Sequence, residues 1–228
     1  MAKLQVQYIS SCSSGLQHSK NAEAPVSLSP PSLVFSPLIV RKRSAPQIVT
    51  LTNVGNAVLT LTGFTAAGDF VQHNNCPALL NPGTSCAISI IFVPSAYGSR
   101  TGTVSISDNA GGSPQSIVLS GTGVDFAVAA APESATILRG QSLNFTIDVT
   151  SLGDAFGAPV ALSCSGLPSH STCKLSPASV TPGAGGAASI LTLSTENSTP
   201  TGTFEVCITG NSGVLSHTTQ VKLTVNKH

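Results

Sequence analysis

The segment Ser85-Cys86-Ala87-Ile88-Ser89-Ile90-Ile91-Phe92-Val93 decides the fold class. Apolar residues at positions 86, 88, 90 and 92 fall on one face of an extended strand, because successive side chains of a strand point in opposite directions. The same alternation, with Thr or Ser between many of the apolar positions, recurs at Val49 and Leu51, Leu59 and Leu61, Val104 and Ile106, Leu143, Phe145, Ile147 and Val149, Leu191 and Leu193, Phe204, Val206 and Ile208, and Val221, Leu223 and Val225. Period-2 burial indicates antiparallel sheets with one wet face, and two such sheets must cover each other.

Helix signals are nearly absent from the sequence. No stretch sustains a 3.6-residue apolar period, and Gly, Pro, Ser and Thr interrupt the chain about every 8–12 residues, as they do in β-sandwiches. We therefore predict an all-β protein.

An internal repeat divides the chain in two. Pro82-Gly83 and Thr101-Gly102-Thr103 recur one hundred residues later as Pro182-Gly183 and Thr201-Gly202-Thr203. We predict two tandem β-sandwiches, at residues 26–123 and 124–228, after a disordered leader at residues 1–25. The junction Gly121-Thr122-Gly123-Val124-Asp125 is too short for a free linker, so we expect the two domains to sit end to end with restricted motion.

The composition excludes several classes of partner. The 228 residues include 10 Lys and Arg against 9 Asp and Glu, a net charge of +1, no Trp and 4% aromatic residues. Such a chain lacks the basic surface and the stacking platforms with which proteins bind nucleic acid, and no apolar run reaches the ~20 residues needed to cross a bilayer. We expect no nucleic-acid partner and no membrane insertion.

The first half resembles a known family. The motifs that carry the resemblance occur in this order: Thr52-Asn53-Val54-Gly55-Asn56, Gly68-Asp69-Phe70, Asn75-Cys76, Pro82-Gly83-Thr84-Ser85-Cys86, Phe92-Val93-Pro94, Gly102-Thr103, Ser107-Asp108-Asn109 and Leu119-Ser120-Gly121-Thr122-Gly123. They resemble the bacterial choice-of-anchor D domain, a relative of the ASH (abnormal spindle and Hydin) Ig-like domains. The resemblance implies a seven-stranded sandwich without catalytic residues, found in longer and often surface-attached proteins.

The second half is similar to Ig-like repeats of large secreted bacterial proteins. The similarity lies in Cys164-Ser165-Gly166-Leu167-Pro168, Thr172-Cys173, Ser176-Pro177-Ala178-Ser179 and Val180-Thr181-Pro182-Gly183. Together, the two resemblances imply an all-β chain of two tandem immunoglobulin-like β-sandwiches.

Cysteine spacing predicts two local disulfides. Cys76 and Cys86 flank a Pro-Gly turn, and Cys164 and Cys173 flank a second short loop, so both pairs can meet across a turn. Disulfides would place the protein in an oxidising compartment, and the alternative is four reduced cysteines in a cytoplasmic protein.

Cys207 and Cys12 are left over by this pairing. The inward set Phe204, Val206 and Ile208 places Cys207 on the outward face with Glu205 and Thr209. We therefore predict a free thiol at Cys207, and the alternatives are a small apolar filler under a loop and a crosslink to another chain.

Metal and cofactor sites are not expected. His73 with Cys76 and Cys86, and His170 with Cys173, supply at most three zinc ligands per domain, whereas structural zinc needs four. Asp108-Asn109-Ala110-Gly111-Gly112 has the residue types of a calcium loop but not its alternating acids, and we predict a hairpin turn there.

Catalytic motifs are also missing from the sequence. The nine acidic residues are scattered singly, and no nucleophile elbow, zinc-protease or phosphate-loop motif occurs. The basic cluster Arg41-Lys42-Arg43 is expected to be a solvated guard at a strand edge, with binding of an acidic partner as the alternative.

We predict a non-catalytic structural or adhesive module of a secreted or cell-surface bacterial protein, without catalytic, cofactor or metal sites. It would be part of a longer multidomain chain that meets a protein or cell-surface partner through sheet edges and loops. Two alternatives remain: an intracellular ASH-type protein-recruiting domain in the cytoplasm, and a carbohydrate-binding accessory module of a larger enzyme.

Overall fold

The fold is all-β throughout the part of the chain that the computed structural model describes, residues 24–227, and no helix occurs in that range. The predictions for the leader and for Cys12 lie largely outside the described residues. The strands are β1 (Val26–Ser29), β2 (Ser32–Val34), β3 (Leu38–Ile39), β4 (Gln47–Asn53), β5 (Leu59–Ala67), β6 (Phe70–Asn74), β7 (Leu79–Leu80), β8 (Ser85–Phe92), β9 (Gly98–Asp108), β10 (Gln115–Ala131), β11 (Ser134–Leu138), β12 (Ser142–Leu152), β13 (Val160–Ser165), β14 (Ser171–Ser176), β15 (Ser179–Val180), β16 (Ala187–Thr195), β17 (Gly202–Ser212) and β18 (Leu215–Asn226).

The first sandwich packs two sheets around one core. One sheet has the order β1-β4-β8-β6, and the other runs β10-β9-β5-β7, with β2 and β3 parallel to β10 at its edge. All other pairings are antiparallel, as the one-sided alternation predicts.

The second sandwich repeats this topology, except that β3 has no counterpart in it. Its sheets are β10-β12-β16-β14 and β11-β18-β17-β13-β15, and β11 runs parallel to β18. Thus β10, β12, β16 and β14 take the places of β1, β4, β8 and β6, while β18, β17 and β13 take those of β10, β9 and β5. The first strand of each sandwich crosses from one sheet to the other at a proline, Pro30 or Pro132.

The repeated sequence motifs lie at equivalent places. Pro82-Gly83 and Pro182-Gly183 precede β8 and β16, and the two Thr-Gly-Thr motifs lie in β9 and at the beginning of β17. The sequence repeat therefore corresponds to a structural repeat. The two Ig-like sandwiches predicted from the sequence are confirmed.

A single strand, β10, belongs to both sandwiches. Its first half pairs with β9 as far as Gly123, opposite Gly98, and its second half pairs with β12 from Asp125, opposite Leu152. At about 3.3 Å per residue, the 17 residues of Gln115–Ala131 extend for roughly 55 Å. The last strand of the first sandwich is thus the first strand of the second, and no linker separates them.

Each sandwich has its own hydrophobic core. The first contains Leu33, Phe35, Val49, Leu51, Leu59, Leu61, Phe70, Ile88, Ile90, Phe92, Val104, Ile106, Ile117 and Leu119. The second contains Val40, Val124, Phe126, Ile137, Phe145, Ile147, Val149, Phe156, Val160, Leu162, Leu191, Leu193, Val206, Ile208, Val221, Leu223 and Val225. Nearly all the apolar positions predicted to face inward are buried, while Leu143 and Phe204, near strand ends, are half-buried. Val40 is an exception, because it lies in the first half of the chain but is buried in the second core.

Candidate functional site

The disulfide between Cys76 and Cys86 extends the ladder of β6 and β8. These strands pair Asn74 with Ile88, and the same register continued by two residues sets Cys76 opposite Cys86, with a Cα–Cα distance of 5.0 Å. The Asn75 amide donates to the Ala87 carbonyl, and the Asn75 side chain accepts from the Ala87 amide at 2.8 Å. The disulfide therefore crosslinks the edge strand β6 to its neighbour β8 within one sheet.

The disulfide between Cys164 and Cys173 has a different role. Cys164 lies on β13 and Cys173 on β14, strands of opposite sheets, with a Cα–Cα distance of 6.8 Å. It therefore ties the two layers of the second sandwich together. Sequence spacing of 10 and 9 residues had suggested one repeated arrangement, and the structure has two.

Cys207 is the free cysteine among residues 24–227, and it is half-buried. Its neighbours across the strands are Ser165 on β13 and Gln220 on β18. The Gln220 side-chain amide donates to the Cys207 sulfur at 3.4 Å. The residue points outward from the sandwich, because the flanking Val206 and Ile208 are buried in the core.

The histidines considered as metal ligands do not assemble a site. Because Cys76 and Cys86 are bonded to each other, His73 has no thiolate partners, and His170 lies 3.6 Å from the exposed carboxylate of Glu196. Within residues 24–227, no group of three or more His, Cys, Asp or Glu side chains could hold a metal ion.

Asp108 begins the turn between β9 and β10. Its carboxylate accepts a hydrogen bond from the Ala110 amide at 2.8 Å, and its amide donates to the Ser113 hydroxyl at 2.9 Å. Asn109 side-chain oxygen accepts from the Thr60 amide on β5. The segment is therefore the turn of a hairpin between two paired strands.

The basic cluster Arg41-Lys42-Arg43 is exposed and follows β3. The Arg41 amide donates to the Pro94 carbonyl at 2.8 Å, so the backbone here is tied to the loop between β8 and β9. The cluster lies close to the junction of the two sandwiches, because β3 pairs with β10 at Gly123 and Val124.

An ion pair that the sequence analysis missed fixes the same loop. Asp69 accepts hydrogen bonds from the Arg100 guanidinium and from the Ser95 amide, and Arg100 also donates to the Ser95 hydroxyl. Burial raises the pKa of Asp69, but the hydrogen bonds from Arg100 and Ser95 and the charge of Arg100 outweigh burial and hold that pKa below its ordinary value of 3.8. Nothing in the sequence links two single charges 31 residues apart.

A second polar pair was also missed, and it lies at the junction. His217 on β18 hydrogen-bonds through Nε2 to the buried Asp125 carboxylate, and its ring packs edge-on against Phe126 with centroids 4.7 Å apart. The pair joins the two sheets of the second sandwich where the shared strand enters it.

Tyr97 is the exposed aromatic side chain among the described large hydrophobic residues. The phenylalanines of the described chain are buried or half-buried. Within residues 24–227, a single exposed Tyr or Phe ring provides no row of aromatic platforms for sugar stacking. In the same range, no helix is long and apolar enough to cross a membrane.

The first sandwich matches a known family model. Residues 26–122 match the family described as HYDIN/CFA65/VesB-like, Ig-like domain. The match ends within β10, so it covers the first sandwich and not the second. Residues 26–122 therefore form an Ig-like domain. No protein with a curated description matches the sequence.

Several solved structures are similar at low sequence identity. Domains 4 and 5 of the S-layer protein SbsC share 15% identity over 69% of this chain and 76% of that one, with a TM-score of 0.34. The secreted serine protease VesC of Vibrio cholerae shares 11% over 74% of this chain and 46% of its own, with a TM-score of 0.34. The ASH/PapD-like domain 7 of human CEP192 shares 14% over 54% of this chain and 97% of its own, with a TM-score of 0.35. At such scores the similarity carries no information about function.

Proposed function

We propose that the chain is a non-catalytic structural module, a stiff double-sandwich spacer within an exported protein. The observation that carries this proposal is the shared strand β10, which is hydrogen-bonded into both sandwiches without an intervening linker. A free linker would allow a wide range of domain orientations, whereas a continuous strand favours one.

The two disulfides support export. Disulfides persist in extracellular, periplasmic and cell-surface compartments and are rare in the cytoplasm. A bonded pair in each sandwich is therefore best suited to a secreted or surface location. Because the first half resembles the choice-of-anchor D domain, we propose that the module belongs to a bacterial surface protein. The alternative is an intracellular recruiting domain, which reduced cysteines would favour.

The partners proposed for the module are proteins or cell-surface structures, met through sheet edges and loops. No group of three or more His, Cys, Asp or Glu side chains within residues 24–227 could hold a metal ion, and we propose no reaction. A role in adhesion would require a specific partner, whereas a spacer requires none. We therefore favour the spacer role over adhesion.

Pulsed electron paramagnetic resonance tests the stiffness of the junction. With Cys12→Ser and Val34→Cys, spin labels attach at position 34, where the side chain is 74% exposed, and at Cys207 in the second sandwich. We expect one narrow distance distribution. The matched comparison inserts six Gly and Ser residues between Val124 and Asp125, which should broaden it several-fold. A distribution for the uninterrupted chain as broad as that of the insertion would contradict the spacer proposal.

Redox mapping tests the compartment separately. Cells that naturally produce the protein are fractionated, and free thiols are alkylated before lysis. Export predicts that Cys76, Cys86, Cys164 and Cys173 resist alkylation and that the protein is found outside the cytoplasm. Alkylation of all four in a cytoplasmic fraction would favour the recruiting-domain alternative.

A further inference from the structure

We propose that Val40 couples the folding of the two sandwiches: the second core is complete only while the first sandwich is folded. The inference concerns stability, and it holds whether or not the chain is exported.

Val40 contributes to a core that is otherwise built from residues 124 onward. It is 4% exposed and belongs to the cluster of buried residues that forms the second core, and Ile39 is a partly buried residue packed against the same core. Leu38, one residue earlier, packs against the first core. The chain thus passes from one core to the other within three residues.

The backbone around Val40 is held on two sides. Its amide donates to the Val124 carbonyl at 3.0 Å, continuing the parallel pairing of β3 with β10. The next amide, of Arg41, donates to the Pro94 carbonyl, and the Ser44 amide donates to the Phe92 carbonyl at 3.0 Å. Phe92 belongs to the first core, so the position of Val40 depends on strand β8 of the first sandwich.

The loop that receives Arg41 is itself fixed by the first sandwich. The Asp69 carboxylate accepts from the Ser95 amide at 3.0 Å and pairs with Arg100 on β9, while the Asp69 carbonyl accepts from the Val93 amide. If the first sandwich opens, these anchors are lost together. Val40 then becomes a residue on a flexible chain, and its return to the second core carries a loop-closure cost.

The consequence is a reciprocal coupling between two cores that otherwise have separate residues. Opening the first sandwich removes a buried side chain from the second core, which is equivalent to a large-to-small core substitution. By linkage, loss of the second core weakens the first to the same degree.

Hydrogen exchange of the full chain, followed by mass spectrometry, tests the coupling. Ile88→Ala creates a cavity in the first core, where Ile88 is fully buried. We expect it to accelerate exchange not only in β4 and β8 but also in β17 and β18, by roughly tenfold. The matched surface control is Val34→Ala on β2, which should change neither set by more than about twofold.

A double-variant cycle assigns the coupling to Val40. In a Val40→Ala background, β17 and β18 already exchange faster, and adding Ile88→Ala should accelerate them no further. The proposal is overturned if Ile88→Ala leaves β17 and β18 unchanged. It is also overturned if its effect on them persists undiminished in the Val40→Ala background, which would route the coupling through β10 alone. These two outcomes can be distinguished even if Ile88→Ala unfolds the first sandwich completely. Neither outcome depends on the stiffness of the junction measured by electron paramagnetic resonance.

Discussion

The imidazole of His217 lies 2.8 Å from the carboxylate of Asp125, although the two residues are 92 positions apart. Asp125 is the first residue of the shared strand to pair with β12, and His217 lies on β18 in the opposite sheet. The contact closes the second sandwich at the place where the chain enters it.

Replacing His217 with alanine should destabilise the second sandwich by about 1–3 kcal/mol, because the buried Asp125 carboxylate loses its side-chain partner. The loss of the edge-on packing against Phe126 adds to this cost. Urea unfolding measures the change. The control is His73→Ala, an exposed histidine, for which a change within about 0.5 kcal/mol is expected. Equal effects of the two substitutions would contradict the role assigned to His217.

Asp69→Asn should weaken the first sandwich at neutral pH by about 1–3 kcal/mol and remove part of its acid sensitivity. The pKa of Asp69 is lower in the folded protein than its ordinary value of 3.8, so its ionised form stabilises the fold above that value. This contribution is lost as the pH falls through the lower folded value. The difference in unfolding free energy between the wild type and Asp69→Asn should therefore shrink as the pH falls below the ordinary value of 3.8. Asp148→Asn, at an exposed position on β12, is the control and should change stability by about 0.5 kcal/mol or less.

Removing either disulfide by paired alanine substitutions should cost about 2–3 kcal/mol, since both close loops of similar length. The losses should fall in different places. Hydrogen exchange should rise chiefly at the β6–β8 edge without Cys76 and Cys86, and across both sheets of the second sandwich without Cys164 and Cys173. Cys207→Ser, at a half-buried outward position, serves as the control and should change stability by about 0.5 kcal/mol or less. Identical exchange patterns for the two disulfide variants would contradict this division.

Thiol labelling of the native protein should modify Cys207 and spare the four bonded cysteines. The rate should be slower than that of a fully exposed thiol, because Cys207 is half-buried and Gln220 donates to its sulfur. Gln220→Ala should raise the rate several-fold, as followed by mass spectrometry. Labelling at Cys164 or Cys173 in the unreduced protein would contradict the pairing, and a Cys207 that resists labelling would contradict its outward direction.

Gly153→Ala should disrupt the junction. Gly153 has a φ of +89°, which other residues rarely adopt, and an added Cβ would lie 2.2 Å from the Gly123 carbonyl oxygen of the shared strand. We expect a loss of about 2 kcal/mol or more in thermal or urea unfolding. Gly157→Ala is the matched control, because an added Cβ there has no neighbour within 4 Å. If Gly157→Ala lost as much stability as Gly153→Ala, the steric explanation for the effect at Gly153 would be wrong.

Local periodicity predicted the features that depend on local chain geometry. The alternation in β8 and β17 predicted which residues are buried, including the outward direction of Cys207, because side chains alternate strictly along an extended strand. The hundred-residue repeat predicted two sandwiches. The cysteine spacings predicted the partners, since short loops limit which sulfurs can meet.

Relations between distant parts of the chain could not be predicted in this way. Leu38, Ile39 and Val40 form a plain apolar run, and nothing in it tells which core each residue enters. Asp69 and Asp125 resemble any solvated acid in the sequence, because their partners are fixed only by the packing of sheets. Similar spacing likewise concealed that one disulfide lies along a sheet and the other between two sheets.

The parallel pairing of β11 with β18 determines how the second sandwich would resist tension. The chain enters β11 at Ser134, beside Lys222, and leaves β18 at Asn226, beside Leu138. A pull on these two points drags the strands along their lengths in opposite directions, in shear. The backbone hydrogen bonds along the five register pairs would then be strained together instead of opening one by one, so that the whole ladder would share the load.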